Sequence, residues 1–311
     1  MKIGLIDVDG HNYPNLALMK ISSYHKSKGN DVEWCDGLSH YERVYMSKVF
    51  SFTPDYTQCI NADEIVKGGT GYAFYDNGGG YFKGKDIPLP YDIEHSYPDY
   101  SIYPMYTKDT AYGFLTRGCP RGCDFCIVGD KEGLKSVKVA DLSEFWNGQR
   151  NIVLNDPNIL ACNDREALLY DLVKSGSWVD FNQGLDARLL TDGIAELLSK
   201  VKVKEIHFAW DRYEDGDKVI KGLDMFAKYS NKPHGHNAIV YTLVNKDTTI
   251  EQDLERIYRL REIGYWAYVM VFDKPNAKPV YRDLQRWVNN RFIFAKCERF
   301  DDYRKLNSAK I

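Results

Sequence analysis

The chain lacks long hydrophobic runs and a strong excess of either charge. Mean hydropathy is −0.47, and no apolar stretch approaches the roughly twenty residues that a transmembrane helix needs. The N-terminal segment MKIGLIDVDG has one lysine followed by an acidic strand end, so it does not resemble a signal peptide. We therefore expect a cytoplasmic protein without a membrane partner.

The overall charge gives no reason to expect nucleic acid binding. Forty-one Lys and Arg residues stand against 44 Asp and Glu residues, a net charge of −3. From residue 278 onward the balance reverses, with nine basic and four acidic residues. Arginines there alternate with Trp287, Phe292 and Phe294, a pattern that suits a nucleotide or phosphate, although a solvated helix face is the simpler interpretation. Nucleic acid binding is neither predicted nor excluded.

The seven cysteines are odd in number and unevenly spread. Three of them, Cys119, Cys123 and Cys126, follow one another with the spacing C-x-x-x-C-x-x-C. The other four are scattered: Cys35, Cys59, Cys162 and Cys297. In a reducing compartment such clustering indicates a metal or catalytic site rather than disulfides.

Short apolar runs in the first hundred residues predict a small α/β domain. Residues 2–8 read as a buried strand, and a helix opens at Pro14 and closes at Gly29. Further strands are expected at 32–35, 43–50 and 62–69, and residues 68–104 read as loops and a linker. We therefore expect a Rossmann-like domain with its linker at residues 1–108.

Six β-rich runs follow, separated by helical stretches. They occupy residues 111–117, 151–156, 178–183, 205–210, 238–244 and 266–272. Successive βα units imply a parallel sheet, which either curves into a barrel or opens into a doubly wound sheet. We expect a partial (β/α)6 TIM-like barrel at residues 109–275 and a C-terminal helix with a basic, aromatic tail at 276–311. In either geometry, the site lies at the carboxyl ends of the strands.

The three clustered cysteines are one ligand short of a closed structural zinc site. Zinc normally takes a fourth Cys or His from nearby, but the closest in the chain are His95, His207 and Cys162. A [4Fe–4S] cluster held by three thiolates instead leaves one iron open to an external ligand. A zinc-binding or electron-transfer module remains the alternative.

The segment LTRGCPRGCDFC, with Phe125 just before the last cysteine, resembles the motif of the radical S-adenosylmethionine (radical SAM) superfamily. The resemblance covers about residues 109–275. It implies an oxygen-sensitive enzyme in which the three cysteines bind a [4Fe–4S] cluster and the open iron binds S-adenosylmethionine. One electron, from a donor such as flavodoxin or ferredoxin, then releases a 5′-deoxyadenosyl radical that abstracts hydrogen from the substrate.

The same resemblance implies cofactor-binding residues at later strand ends. Asn155 and Asp156 replace the family's Gly-Gly-Glu near the methionine ammonium group. Gln183, Asp186 and Arg188 are candidates for the ribose hydroxyls and the methionine carboxylate, because arginine binds a carboxylate in bidentate fashion. An ordinary salt bridge of Arg188 to Asp186 or Asp192 is the alternative. Asp211 stands where the family has a glutamate beside a glycine, and the backbone at Asn245 would face adenine.

An α/β domain before such a barrel resembles the cobalamin-binding branch of the superfamily. The cobalamin signature D-x-H-x-x-G has only a partial match from Asp9 to Pro14, so cobalt ligation by His11 is disfavoured. Cys297 is either a hydrogen donor near the substrate or an inert thiol. The substrate is expected to be a small or nucleotide-like molecule. The alternative function is a non-enzymatic iron–sulfur or zinc module for binding or sensing.

Overall fold

The computed structural model describes residues 1–10, 12–76, 82–230 and 235–308. The chain divides into two compact units, residues 1–164 and 165–311. The domain boundaries that we expect at residues 108 and 275 fall inside these units and stay a prediction. His11 lies outside the described residues.

The first unit contains a four-stranded, wholly parallel sheet in the order β2-β1-β3-β4. Its strands are β1 (Lys2–Asp7), β2 (Asp31–Trp34), β3 (Tyr41–Ser47) and β4 (Ala62–Gly68). The central strand β1 is apolar on both faces, as expected for a parallel strand covered on both sides. Helix α1 (Leu16–Ser27) begins at Asn15, whose side chain accepts a hydrogen bond from the Leu18 amide at 3.2 Å.

Residues 68–104 were expected to be loops, and this expectation is wrong in part. They contain α2 (Thr70–Ala73), the antiparallel pair β5 (Phe74–Asp76) and β6 (Phe82–Gly84), and α3 (Tyr91–Glu94). The aromatic residues that suggested a linker partly serve as core, since Phe74 and Tyr103 are each 2% exposed. The described residues of this segment therefore contribute helices, strands and buried side chains to the first unit.

The rest of the first unit carries the cysteine motif. Its elements are α4 (Pro104–Thr107), β7 (Thr110–Gly113), β8 (Thr116–Arg117), α5 (Val128–Glu132), β9 (Val137–Lys138) and β10 (Asn151–Leu154). Strands β7 and β10 pair in parallel, and the short strands β8 and β9 pair antiparallel. The expected strand 111–117 is thus split after Gly113. A side chain at Gly113 would meet the Phe145 ring at 2.4 Å, so close packing requires glycine there.

The second unit repeats strand and helix. Its strands are β11 (Trp178–Phe181), β12 (Ile206–Ala209), β13 (Gly235–Val244) and β14 (Tyr265–Val271). Its helices are α6 (Arg165–Ser175), α7 (Asp192–Lys200), α8 (Gly216–Tyr229), α9 (Ile250–Glu262), α10 (Pro279–Asn289), α11 (Arg291–Lys296) and α12 (Phe300–Ser308). Strands β12, β13 and β14 form a parallel sheet in that order. Thr191 and Thr249 cap α7 and α9 through their side chains.

These elements confirm a mixed α/β fold built on parallel sheets. The (β/α)6 barrel and the Rossmann-like character of the N-terminal part stay predictions. In the tail, Trp287 and Phe294 pack inward and Phe292 is exposed. No helix in the described part of the chain is long and apolar enough to cross a membrane.

Candidate functional site

The cysteine motif occupies a loop whose base is held by the segment that follows it. The Gly118 amide donates to Glu132 Oε2 at 3.1 Å, and the Cys119 amide donates to the Gly133 carbonyl at 3.1 Å. Gly118 has φ +84°, and a Cβ there would lie 2.3 Å from the Lys135 carbonyl oxygen. Only glycine fits this position, because both the backbone angle and the space exclude a side chain.

None of the three cysteines of the loop forms a disulfide. Cys119 and Cys123 are half-buried and Cys126 is exposed, and the Cys126 amide donates to the Cys123 carbonyl at 3.0 Å. Phe125, between the last two, is half-buried. In kind and number these donors suit a [4Fe–4S] cluster with one open iron. In the described ranges, however, no group of three or more His, Cys, Asp or Glu side chains is arranged to hold a metal ion.

Asp156 supports the loop from the neighbouring strand. Its side chain is 6% exposed, and it accepts hydrogen bonds from the Leu115 amide at 3.1 Å, the Thr116 amide and the Thr116 hydroxyl at 2.7 Å. Burial raises the pKa of this carboxyl to about 6, although the three hydrogen bonds favour its charged form. The Asp156 carboxylate is therefore engaged in hydrogen bonds with the residues that precede the cysteine motif. Asn155 beside it is half-buried, and its backbone amide donates to the Gly113 carbonyl at 3.0 Å.

Sequence reasoning missed Asn158, two residues further on. Its side chain is 4% exposed, and its amide nitrogen lies 3.5 Å from Cys119 Sγ in hydrogen-bonding geometry. The Ser136 hydroxyl donates to the Asn158 carbonyl at 2.9 Å and fixes the backbone at this point. The segment LNDPN contained the signal, because it places a third amide or carboxylate side chain after β10.

In the second unit, Arg188 is paired with carboxylates of the protein itself. Its guanidinium donates to both oxygens of Asp186, at 2.7 and 3.1 Å, and also to Asp215. Arg188 thus forms salt bridges with Asp186 and, instead of Asp192, with Asp215. Gln183 lies on the exposed turn after β11.

Asp211 is the second residue after β12, and its carboxyl group interacts electrostatically with Arg188 and Asp186. Burial raises the pKa of its carboxyl to about 6, opposed by the nearby Arg256 and Arg188 guanidinium groups and reinforced by Asp186. Its neighbour Trp210 is 1% exposed and is a core residue. The structure therefore brings together Asp186, Arg188 and Asp211, as expected of residues at strand ends.

The pKa of Asp211 makes the stability of the protein depend on pH. Because its folded-state pKa lies above the ordinary 3.8, the folded chain holds this proton more tightly, and stability falls as pH rises from about 4 to about 6. We expect Asp211→Asn to be more stable than the parent at pH 8 by on the order of 1–3 kcal/mol, with the difference vanishing near pH 4. Urea unfolding at pH 8 and at pH 4 measures this difference in the free energy of unfolding. The exposed Asp301→Asn is the control, and a difference independent of pH would contradict the assignment.

A buried ion pair on α9, also missed from the sequence, joins the ends of β12 and β13. Arg256 is fully buried and donates to the carbonyls of Trp210 at 2.7 Å and Leu243 at 2.6 Å, and to the Asp253 carboxylate. The other carboxylate oxygen of Asp253 accepts a hydrogen bond from the backbone amide of Asn245 at 3.2 Å. Asn245 itself has φ +65°, the left-handed conformation that glycine prefers.

The crevice between β1 and β3, at their carboxyl ends, is crossed by the protein's own side chains. Asp9 accepts from the amides of Val49 and Phe50 and from the Thr53 hydroxyl at 2.6 Å. Asn15 donates to the Ser47 hydroxyl at 2.8 Å. In open parallel sheets this crevice is where ligands usually bind. Here it is occupied by an internal hydrogen-bond network.

Comparison with known proteins finds a solved structure with a similar fold. No protein-family model matches the chain, and no curated protein matches it. A solved structure of the radical S-adenosylmethionine methyltransferase TsrM from Kitasatospora setae, with cobalamin and a [4Fe–4S] cluster bound, has a TM-score of 0.57 to this chain. The match has 11% sequence identity and covers 87% of this chain and 74% of that one. At this identity the likeness concerns the fold.

Proposed function

We propose that this protein is a radical S-adenosylmethionine enzyme that binds a [4Fe–4S] cluster through Cys119, Cys123 and Cys126. The observation that carries the proposal is the glycine-shaped loop with three cysteines at the spacing C-x-x-x-C-x-x-C, on a fold similar to that of a radical SAM methyltransferase. When bound, the cluster supplies one electron for the reductive cleavage of S-adenosylmethionine. Gly122, between the first two cysteines, has φ +55°, a backbone angle that glycine adopts without strain.

Residues around the cysteine loop hold its base in place. Asp156 fixes the amides of Leu115 and Thr116, and Glu132 and Gly133 fix those of Gly118 and Cys119. In the second unit, Asp186 and Asp211 are proposed to accept hydrogen bonds from the ribose hydroxyls, with Gln183 beside them. Arg188 is proposed to bind the methionine carboxylate, Asn155 its ammonium group, and the Asn245 backbone the adenine.

The electron is proposed to come from a flavodoxin or ferredoxin, and the substrate is proposed to be a small or nucleotide-like molecule. We further propose that the first unit does not hold cobalamin. Asp9 and Asn15 fill the crevice between β1 and β3 with hydrogen bonds that a corrinoid tail would have to displace.

Formation of 5′-deoxyadenosine tests the proposed function. The full chain is reconstituted with iron and sulfide without oxygen, then incubated with dithionite and S-adenosylmethionine. We expect about four irons per chain and 5′-deoxyadenosine by liquid chromatography, without added cobalamin. A colourless, zinc-loaded protein that releases none would favour the non-enzymatic binding module.

The hydrogen bond from Asn158 to Cys119 predicts a change in reduction potential. Donors to cluster sulfurs stabilise the reduced state, and Asn158→Asp replaces this donor with an acidic group of the same size. We expect the ratio of reduced to oxidised cluster at a fixed potential to fall about tenfold, or roughly 59 mV for one electron. A mediated titration followed by electron paramagnetic resonance measures it. The exposed Asn147→Asp is the matched control; equal potentials in both variants would disprove a role for Asn158.

A further inference from the structure

A series of ion pairs within the first unit connects helix α1 with the root of the cysteine loop. Lys20 of α1 donates to Oε1 of Glu94, at the end of α3, over 2.9 Å. The same oxygen accepts a hydrogen bond from Nη2 of Arg117 at 3.4 Å. Arg117 stands two residues before Cys119. One carboxylate therefore bridges a lysine of the N-terminal sheet's helix and an arginine of the cysteine segment.

Beyond Arg117 the ion pairs end on the backbone of the motif. Nη1 of Arg117 donates to Oε1 of Glu132 at 3.0 Å, and Oε2 of Glu132 accepts from the Gly118 amide at 3.1 Å. The guanidinium also lies over the Phe114 ring, 4.0 Å from its centroid, which supports it from one side. Lys131 approaches the same Oε1 less closely, at 3.5 Å. The orientation of Glu132 therefore depends chiefly on Arg117. We call Lys20, Glu94, Arg117 and Glu132 the ionic chain.

The ionic chain is largely shielded from water. Only 12% of the Lys20 side chain and 6% of the Glu132 side chain are exposed, and the two members between them are half-buried. Burial acts to raise the pKa of Glu94, but Lys20 and Arg117 together outweigh it and hold this pKa below its ordinary value. The bridging carboxylate is therefore ionised at neutral pH. Salt screens such shielded pairs less than it screens exposed ones.

The core of the N-terminal sheet fixes the backbone next to Glu94. Its neighbour Ile93 is 5% exposed and packs in an apolar cluster with Leu5 of β1 and with Leu18 and Ile21 of α1. The helix that carries Lys20 thus also packs against the segment that carries Glu94. The carboxylate is therefore held at a fixed point of the sheet, and the cysteine segment is attached to that point.

We propose that Lys20 and Glu94 are positioning residues for the proposed cluster site. Glu94 holds the Arg117 guanidinium, which in turn orients Glu132 toward the Gly118 amide and so fixes the root of the loop. The N-terminal sheet then serves as the support of the cysteine loop. That the loop carries a cluster rests on the proposed function, but the positioning of its root does not need the cluster.

Hydrogen exchange of the Gly118 amide, followed by nuclear magnetic resonance on the full chain without iron, tests the positioning. Lys20→Met removes the ammonium group and keeps the length of the side chain. We expect this amide to exchange at least about threefold faster, because its acceptor loses support, while the amides of β11 in the second unit keep their rates. Lys20→Arg restores the charge and is expected to restore the parent rate. Unchanged exchange at Gly118 in Lys20→Met would overturn the proposal.

Lys26→Met is the matched control on the same helix. Lys26 pairs with Asp99 at 2.6 Å, outside the ionic chain. We expect the Gly118 amide of this variant to exchange at the parent rate. Equal acceleration in the two lysine variants would mean that α1 is loosened as a whole, and would refute a positioning role for Lys20.

A double variant distinguishes transmission through the ionic chain from a general loss of stability. Glu94→Gln is expected to accelerate exchange at Gly118 at least as much as Lys20→Met. The two changes together should act no more strongly than Glu94→Gln alone, because Lys20 reaches Arg117 through Glu94. Additive effects would contradict the proposal. An unfolding curve verifies that each variant folds, and the comparison of Lys20→Met with Lys20→Arg keeps the test if Glu94→Gln does not.

Iron retention is a second measurement, on the reconstituted protein. We expect Lys20→Met to lose iron to a chelator about threefold faster than the parent, and Lys26→Met to lose it at the parent rate. Equal iron loss in the two variants would contradict a role for Lys20 at the cluster. If the exchange result holds but the parent binds no cluster, only the proposed function fails. If the cluster forms but exchange at Gly118 ignores Lys20, only this inference fails.

Discussion

Alanine in place of Cys119, Cys123 or Cys126 will lower 5′-deoxyadenosine formation by about 100-fold or more. Loss of a supporting residue alone typically costs 10–100-fold at a metal site, and each of these thiols is one of only three protein ligands in the proposed cluster. Iron per chain will fall together with activity. Both are measured on anaerobically reconstituted protein, by metal analysis and by chromatography of the products.

The matched control is Cys59→Ala, which removes an exposed, free thiol far along the chain from the motif. It is expected to retain iron and activity. If the three loop variants kept their iron while Cys59→Ala lost it, the cluster would have other ligands and the proposed function would need a different metal site.

Breaking the buried pair on α9 will have the largest effect on stability. Arg256→Met leaves the Asp253 charge buried and leaves the Trp210 and Leu243 carbonyls without their donor. Removal of one partner of a buried pair typically lowers the free energy of unfolding by about 3–5 kcal/mol. Urea unfolding followed by circular dichroism measures the loss.

Two further variants show whether the buried charge is the cause. The double change Asp253→Leu with Arg256→Met removes both charges and is expected to recover part of the loss. The exposed pair of Lys200 and Glu196 on α7 serves as the control, since Lys200→Ala should cost less than about 1 kcal/mol. Equal losses for Arg256→Met and Lys200→Ala would contradict the role of the buried pair.

The strands could be predicted from sequence because their apolar runs are short and separated by capped helices. The side chains of Thr191 and Thr249 cap the starts of two of these helices, α7 and α9. The break between β7 and β8 could not be predicted, because it depends on a contact remote in sequence. Asp156 takes the amides of Leu115 and Thr116, which a continuous strand would have donated to a neighbouring strand.

The site was less accessible from sequence than the fold. The cysteine spacing is local and can be recognised directly, whereas the partners of a carboxylate depend on packing. The sequence makes Asp156 a candidate for the methionine ammonium group, but it does not reveal the hydrogen bonds of this carboxylate to Leu115 and Thr116. Asp253 and Arg256 resemble ordinary surface charges at helical spacing, and only the structure shows that both are buried. Asn158 became visible only through its distance to a sulfur.

The anchored base and glycine-shaped tip of the cysteine loop have a consequence for how the holoprotein matures. The carboxylates of Asp156 and Glu132 hold the root of the loop through the backbone amides of Leu115 and Gly118. We therefore expect the chain to fold before the proposed cluster is inserted, because the protein itself supplies the contacts that shape the root of the loop.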